Sequence, residues 1–103
     1  MIIVLAEIEL ASGTREAFLG EFRALMPHVH QEDGCLEYGP AIDATTPLTK
    51  QALLGPDRVM IVEKWRDVPA LEAHLVAPHM TGYRERVKDY VKETKLTILD
   101  PCG

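Results

Sequence analysis

Residues 2–10 read IIVLAEIEL, a run rich in β-branched side chains that becomes alternating toward its end. Such a run predicts a strand. Successive side chains of an extended chain point to opposite faces, so Ile2, Val4, Ala6, Ile8 and Leu10 share one face, with Ile3 and Leu5 on the other. A second run, RVMIVEKW at 58–65, repeats the pattern: Val59 and Ile61 oppose Met60 and Val62. Both strands are therefore apolar on both faces, and helices packed on a sheet cover only one of them. Something else must bury the second face. A further copy of the same chain is the simplest candidate, so the pattern predicts a homodimer packed through its sheet faces.

The remaining elements fall into place around these two strands. Ser12-Gly13 suits a turn and Thr14 a helix start, after which Phe18, Phe22, Leu25, Met26 and Val29 recur at helical spacing. Pro27 lies inside this run and predicts a kink or a break into a short final turn, while Gly34 suits the close of the helix. CLEYGPAID at 35–43 reads as a strand that Pro40 confines to a sheet edge. A long connection follows at 44–57, with an apolar patch at Ala52, Leu53 and Leu54. Asp67 can cap the next helix, with Pro69 in its first turn, and Pro78 opens another that carries Met80, Tyr83, Val87, Tyr90 and Val91 on one side. KLTIL at 95–99 is the last strand. The order predicts an α+β fold of ferredoxin-like βαββαβ type, an antiparallel sheet with its first and third strands central.

A chain of 103 residues, 47% hydrophobic and 26% charged, has the composition of one folded domain spanning 1–103. Sixteen acidic residues against eleven basic ones give a net charge of -5, which disfavours nucleic acid as a partner. MIIVLA reaches Glu7 too soon to form a signal-peptide core, and no stretch approaches the roughly 20 apolar residues of a membrane span. A cytoplasmic protein is expected. Cys35 and Cys102 form no CxxC pair, and a disulfide between them is not expected in a reducing compartment.

Glycine-rich phosphate loops and serine-centred elbows are absent, so no nucleotide cofactor has an evident cradle and no metal set is evident. His28 and His30, two residues apart, aim at different faces near a helix end and read as solvated. His74 and His79 in HLVAPHM would stand about 140° apart on one unbroken helix. Pro78 breaks that helix and places His79 in the first turn of the next, where free N–H groups favour a neutral ring able to act as a base. Packed or solvated side chains remain the plain alternative for both. Trp65 and Glu63 share a strand face, and a covered Glu63 needs a partner, for which a histidine is the expected choice. Tyr38 and Tyr83 read as packing residues with wet hydroxyls.

QEDGCLEY at 31–38, VEKWRDVPALEAH at 62–74 and APHM at 77–80 together resemble the antibiotic biosynthesis monooxygenase family, above all its small quinol-monooxygenase-like members. The likeness spans nearly the whole chain. It implies a dimeric α+β barrel of ferredoxin-like subunits, and oxidation of a small hydroxylated aromatic or quinol by O₂ with no metal or flavin. The chain departs from that pattern in its long 44–57 connection. It also contains no asparagine, whereas the haem-degrading branch of the family uses one on its first strand. Carried onto this sequence, the resemblance makes His79 the base or the hydrogen-bond partner of the substrate hydroxyl, with Glu63 and His74 as orienting groups. Trp65, Phe22, Met26, Tyr38 and Tyr83 become the substrate-binding walls. The same fold houses lactone isomerases, autoinducer-processing enzymes and proteins of unproven activity, so a proton-transfer enzyme and a non-catalytic dimeric ligand-binding or stress-response protein stand as alternatives.

Overall fold

A computed structural model describes residues 1–103. The elements run β1 (Ile2–Leu10), α1 (Arg15–His30), β2 (Cys35–Ala41), β3 (Arg58–Trp65), α2 (Val68–Leu75), α3 (Pro78–Val87) and β4 (Val91–Leu99). The strands form one antiparallel sheet in the order β2-β3-β1-β4, with β1 and β3 central. This is the expected ferredoxin-like α+β fold, with the second helical segment divided into α2 and α3.

Directly opposed residues share a face of the sheet. The register pairs Ile2 with Trp65, Val4 with Glu63, Ala6 with Ile61 and Ile8 with Val59, and it sets Tyr38 opposite Glu63. These residues face the helices. Against them α1 buries Phe18, Phe22, Leu25 and Val29. On the far side of β1, Ala6 pairs with Leu96 and Val4 with Ile98. The helix layer stops short of β4, and Leu96 and Ile98 stay exposed. The opposite face of the sheet carries Ile3, Leu5, Met60 and Val62, half-buried, with exposed Leu99, and no helix covers it.

Three local expectations change. Helix α1 runs unbroken through Pro27 to His30. Proline removes the bond to the carbonyl of Arg23, and both residues lie on the exposed side of the helix, where water can take that carbonyl. Strand β2 stops at Ala41, because Asp43 folds the following connection instead of pairing: its carboxylate accepts from the backbone N–H of Leu54 at 2.8 Å and Gly55 at 2.9 Å. Helix α3 ends at Val87, and Tyr90 and Val91 belong to the entry of β4, which begins four residues earlier than expected. No helix is long and apolar enough to cross a membrane.

Candidate active site

Asp67 starts α2 by accepting from the N–H of Ala70 at 2.9 Å, and Pro69 fits the first turn. Ala77, extended at φ -64° and ψ 143°, separates α2 from α3, as the residue before a proline should. This break swings His74 and His79 toward one point. Nδ1 of His74 donates to Glu32 Oε2 at 2.9 Å, and Nε2 of His79 donates to the same oxygen at 2.7 Å. Glu32 sits in the turn between α1 and β2, anchored by its own N–H on the carbonyl of Val29. Gly34, at φ +85°, closes that turn against α2. A Cβ there would lie 2.7 Å from the Cβ of Ala70, so only glycine permits the approach.

His74 is 2% exposed, its ring 4.6 Å from Trp65 and 5.2 Å from Tyr38 between centroids. Burial pushes its pKa below the usual imidazole value, outweighing the hydrogen bond and charge of Glu32, and His79 and Arg84 push the same way as burial. His79 is only partly covered and stacks on His28 at 5.9 Å.

Glu63 does not pair with a histidine. Two residues apart on one strand face, the indole Nε1 of Trp65 reaches its carboxylate at 2.9 Å, and the histidines are held by Glu32. Burial pushes the Glu63 carboxyl up to about 7, opposed by the Trp65 hydrogen bond and helped by the charge of Glu32. Such a group can give or take a proton near neutrality. Burial also raises the phenols of Tyr38 and Tyr83 well above the ordinary tyrosine value, so both stay protonated and can donate hydrogen bonds.

These groups surround a cavity of about 400 Å³ between α3 and the helix-facing side of the sheet. Ala6, Ile8 and Ile61 form its floor, and Leu96 flanks it at β4. Five of the residues expected from the sequence line it: Phe22, Tyr38, Tyr83, Glu63 and His74. Three do not. Trp65 is fully buried behind Tyr38 and His74, Met26 lies over β2 near Gly39, and His79 is turned toward Glu32. Arg84 on α3 and Lys88, one turn on at the helix's C-terminal cap, add two cations to a mostly apolar lining. The sequence reading missed them, and it missed Glu32. One weak signal marked Glu32: an acid just past the C-terminal end of a helix faces the negative end of the dipole and calls for donors. No group of three or more His, Cys, Asp and Glu side chains stands in metal-holding geometry.

The arrangement can accept a proton from a hydroxyl held among aromatic walls and return it later. The family model for antibiotic biosynthesis monooxygenases matches residues 1–86. The chain is 39% identical over 103 residues to a protein of Escherichia coli strain K12 named "Probable quinol monooxygenase YgiN", covering 98% of each chain. The solved structure of PA3566 from Pseudomonas aeruginosa superposes with a TM-score of 0.80 at 26% identity, over 99% of this chain and 94% of that one. Rv0793 from Mycobacterium tuberculosis shares the fold with a TM-score of 0.78 at 23% identity, over 99% of this chain and 95% of that one. With a family match over most of its length and a relative at this identity, the chain belongs to the antibiotic biosynthesis monooxygenase family.

Proposed function

We propose that this protein is a cofactor-independent monooxygenase that oxidises a small hydroxylated aromatic or quinol with O₂ in the cavity beside α3. The observation that carries this reading is the cavity itself: apolar and aromatic walls enclose room for one ring system, with Glu63, His74, Tyr38 and Tyr83 on its lining to accept or donate protons. The 39% identity to a protein named as a quinol monooxygenase supports the same substrate class.

Ground-state O₂ reacts slowly with closed-shell molecules unless the partner gives up an electron easily. Removing the proton of a phenol or hydroquinone makes it such a donor, so the protein need supply a base, a dry cage and positioned hydrogen bonds. The base takes the hydroxyl proton, and an electron then passes from the oxyanion to O₂. The resulting radicals combine at a ring carbon, forming a C–O bond and a peroxide anion. That anion recovers the proton, and the hydroperoxide loses water to leave a carbonyl. One oxygen atom enters the substrate, the other leaves as water, and the substrate supplies all the electrons. His74 and Glu63 line the cavity and serve as base and proton donor, with Tyr38 and Tyr83 donating hydrogen bonds to the substrate oxygens. Phe22 forms a wall, Trp65 and Met26 back the site, and His79 stands outside it.

We further infer a homodimer packed through the uncovered sheet face, with residues 1–103 acting as one domain. The supporting observation is the apolar set Ile3, Leu5, Met60 and Val62, which no helix of its own chain covers. Two unpaired cysteines, Cys35 and Cys102, suit a reducing compartment, so we place the protein in the cytoplasm.

A panel of quinols and anthrones, assayed with and without oxygen, tests the reaction. Product should form only aerobically, with one atom from ¹⁸O₂ incorporated per product. Equal turnover under nitrogen would make the protein a proton-transfer enzyme, and ligand binding without turnover would make it a binding module.

A further inference from the structure

The contact between Glu32 and His74 assigns a role to a residue that touches no part of the cavity. We propose that Glu32 is a positioning residue: its carboxylate holds His74 as the Nδ1–H tautomer and so presents the free Nε2 to the cavity as the base. This rests on the reading of the cavity as a proton-transfer site.

The argument starts from donors and acceptors. A carboxylate only accepts, so Nδ1 of His74 and Nε2 of His79 must both carry hydrogen where they meet Glu32 Oε2. A neutral imidazole bears one hydrogen, and Nδ1 of His74 already has it. Its Nε2 is then a lone pair. That nitrogen has no protein partner, yet no sealed side-chain nitrogen or oxygen in the molecule lacks one, so Nε2 stays open to the space beside it. The space that His74 lines is the cavity. The hydrogen bond on one ring nitrogen decides the state of the other, which is how a carboxylate behind a histidine acts in metal sites and hydrolytic triads.

His79 completes the device from the solvent side. It approaches the same oxygen at 2.7 Å, fixes the carboxylate and remains partly exposed itself. When substrate is bound, its O–H bond breaks, the electron pair stays on oxygen, and an N–H bond forms at Nε2 of His74. The imidazolium so formed lies 2.9 Å from the Glu32 carboxylate, which stabilises it until the proton returns to the peroxide.

The test reads the ring directly and needs no substrate. In the full-length protein, ¹⁵N NMR of the histidine rings at neutral pH should show His74 with a protonated Nδ1 and an unprotonated Nε2. Glu32→Ala should shift that ring toward the Nε2–H form. An Nε2–H ring in the wild type, or an Nδ1–H ring unchanged in Glu32→Ala, overturns the proposal. If Glu32→Ala fails to fold, Glu32→Gln takes its place. It keeps an acceptor oxygen without the charge, so the titration midpoint of His74 should fall while His79 and Arg84 still face the ring, and an unmoved midpoint overturns the proposal. For any panel substrate the wild type turns over, either variant should lose about 10- to 100-fold in kcat with KM nearly unchanged. A folded variant with wild-type kcat also overturns the role. If no panel substrate reacts with the wild type, the proposed reaction fails, and the NMR result alone decides the tautomer.

Discussion

Glu63 and Trp65 lie two residues apart on one face of β3, and the indole Nε1 donates to the buried carboxylate at 2.9 Å. The pair leaves Glu63 with a donor but no cation, in a wall that is otherwise largely apolar. Burial therefore governs its charge: the carboxyl titrates at about 7, against 4.5 for an ordinary glutamate.

That difference has a fixed sign in stability. The fold prefers the protonated carboxyl, so its contribution is complete below pH 4.5 and is lost as pH rises through about 7. Glu63→Gln copies the neutral form and keeps an oxygen for Trp65. Thermal melts should show the variant matching the wild type near pH 4 and exceeding it at pH 8, by as much as about 3 kcal/mol. His74, with a lowered pKa, acts oppositely: its contribution is present above 6.5 and lost as pH falls, and the difference between the two proteins cancels it. A constant difference across that range would show that the fold leaves the Glu63 carboxyl at its ordinary value.

The two histidines should separate in activity. His74 lines the cavity and His79 does not, so His74→Ala should cost roughly 10²–10⁴-fold in turnover. It should also lower the melting temperature, because a fully packed ring is removed from Trp65 and Tyr38. His79→Ala should lose less rate and little stability. Steady-state kinetics and melts of both variants check this, and a larger rate loss in His79→Ala would return the base to His79.

Gly34→Ala should weaken the fold and the site together. The new methyl would have to lie 2.7 Å from Ala70 at a φ of +85°, and such backbone strain alone costs about 1–3 kcal/mol. Urea unfolding should show that loss, and the His74 ring signals should move as the Glu32 turn shifts. An unchanged midpoint would mean that the turn relaxes freely.

The uncovered sheet face predicts association. Light scattering behind a sizing column should give twice the chain mass at micromolar concentration, and Leu5→Asp, which puts a charge at the centre of the face, should give a monomer. A wild-type monomer, or a Leu5→Asp protein of unchanged size, would remove that interface.

The sequence by itself determined the order of elements, because the signals involved are local. Alternation over 2–10 and 58–65 sets which side chains of β1 and β3 face the helices, and Pro78 after Ala77 sets the break between α2 and α3. Pro40 on the edge strand β2 was legible for the same reason. From the resemblance and the strand face, Glu63, His74, Phe22, Tyr38 and Tyr83 were already assigned to one site, and the cavity gathers all five. Only the tertiary structure decided which of these groups meet. Glu32 reaches His74 and His79 across 42 and 47 residues of chain, contacts that no periodicity encodes because they depend on how the turn after α1 packs against α2. Asp43 ended β2 early by the same kind of long-range contact, its carboxylate being taken by N–H groups on the far side of the connection. Side-chain direction follows from local backbone geometry, whereas the partner a side chain finds depends on where the rest of the chain is folded.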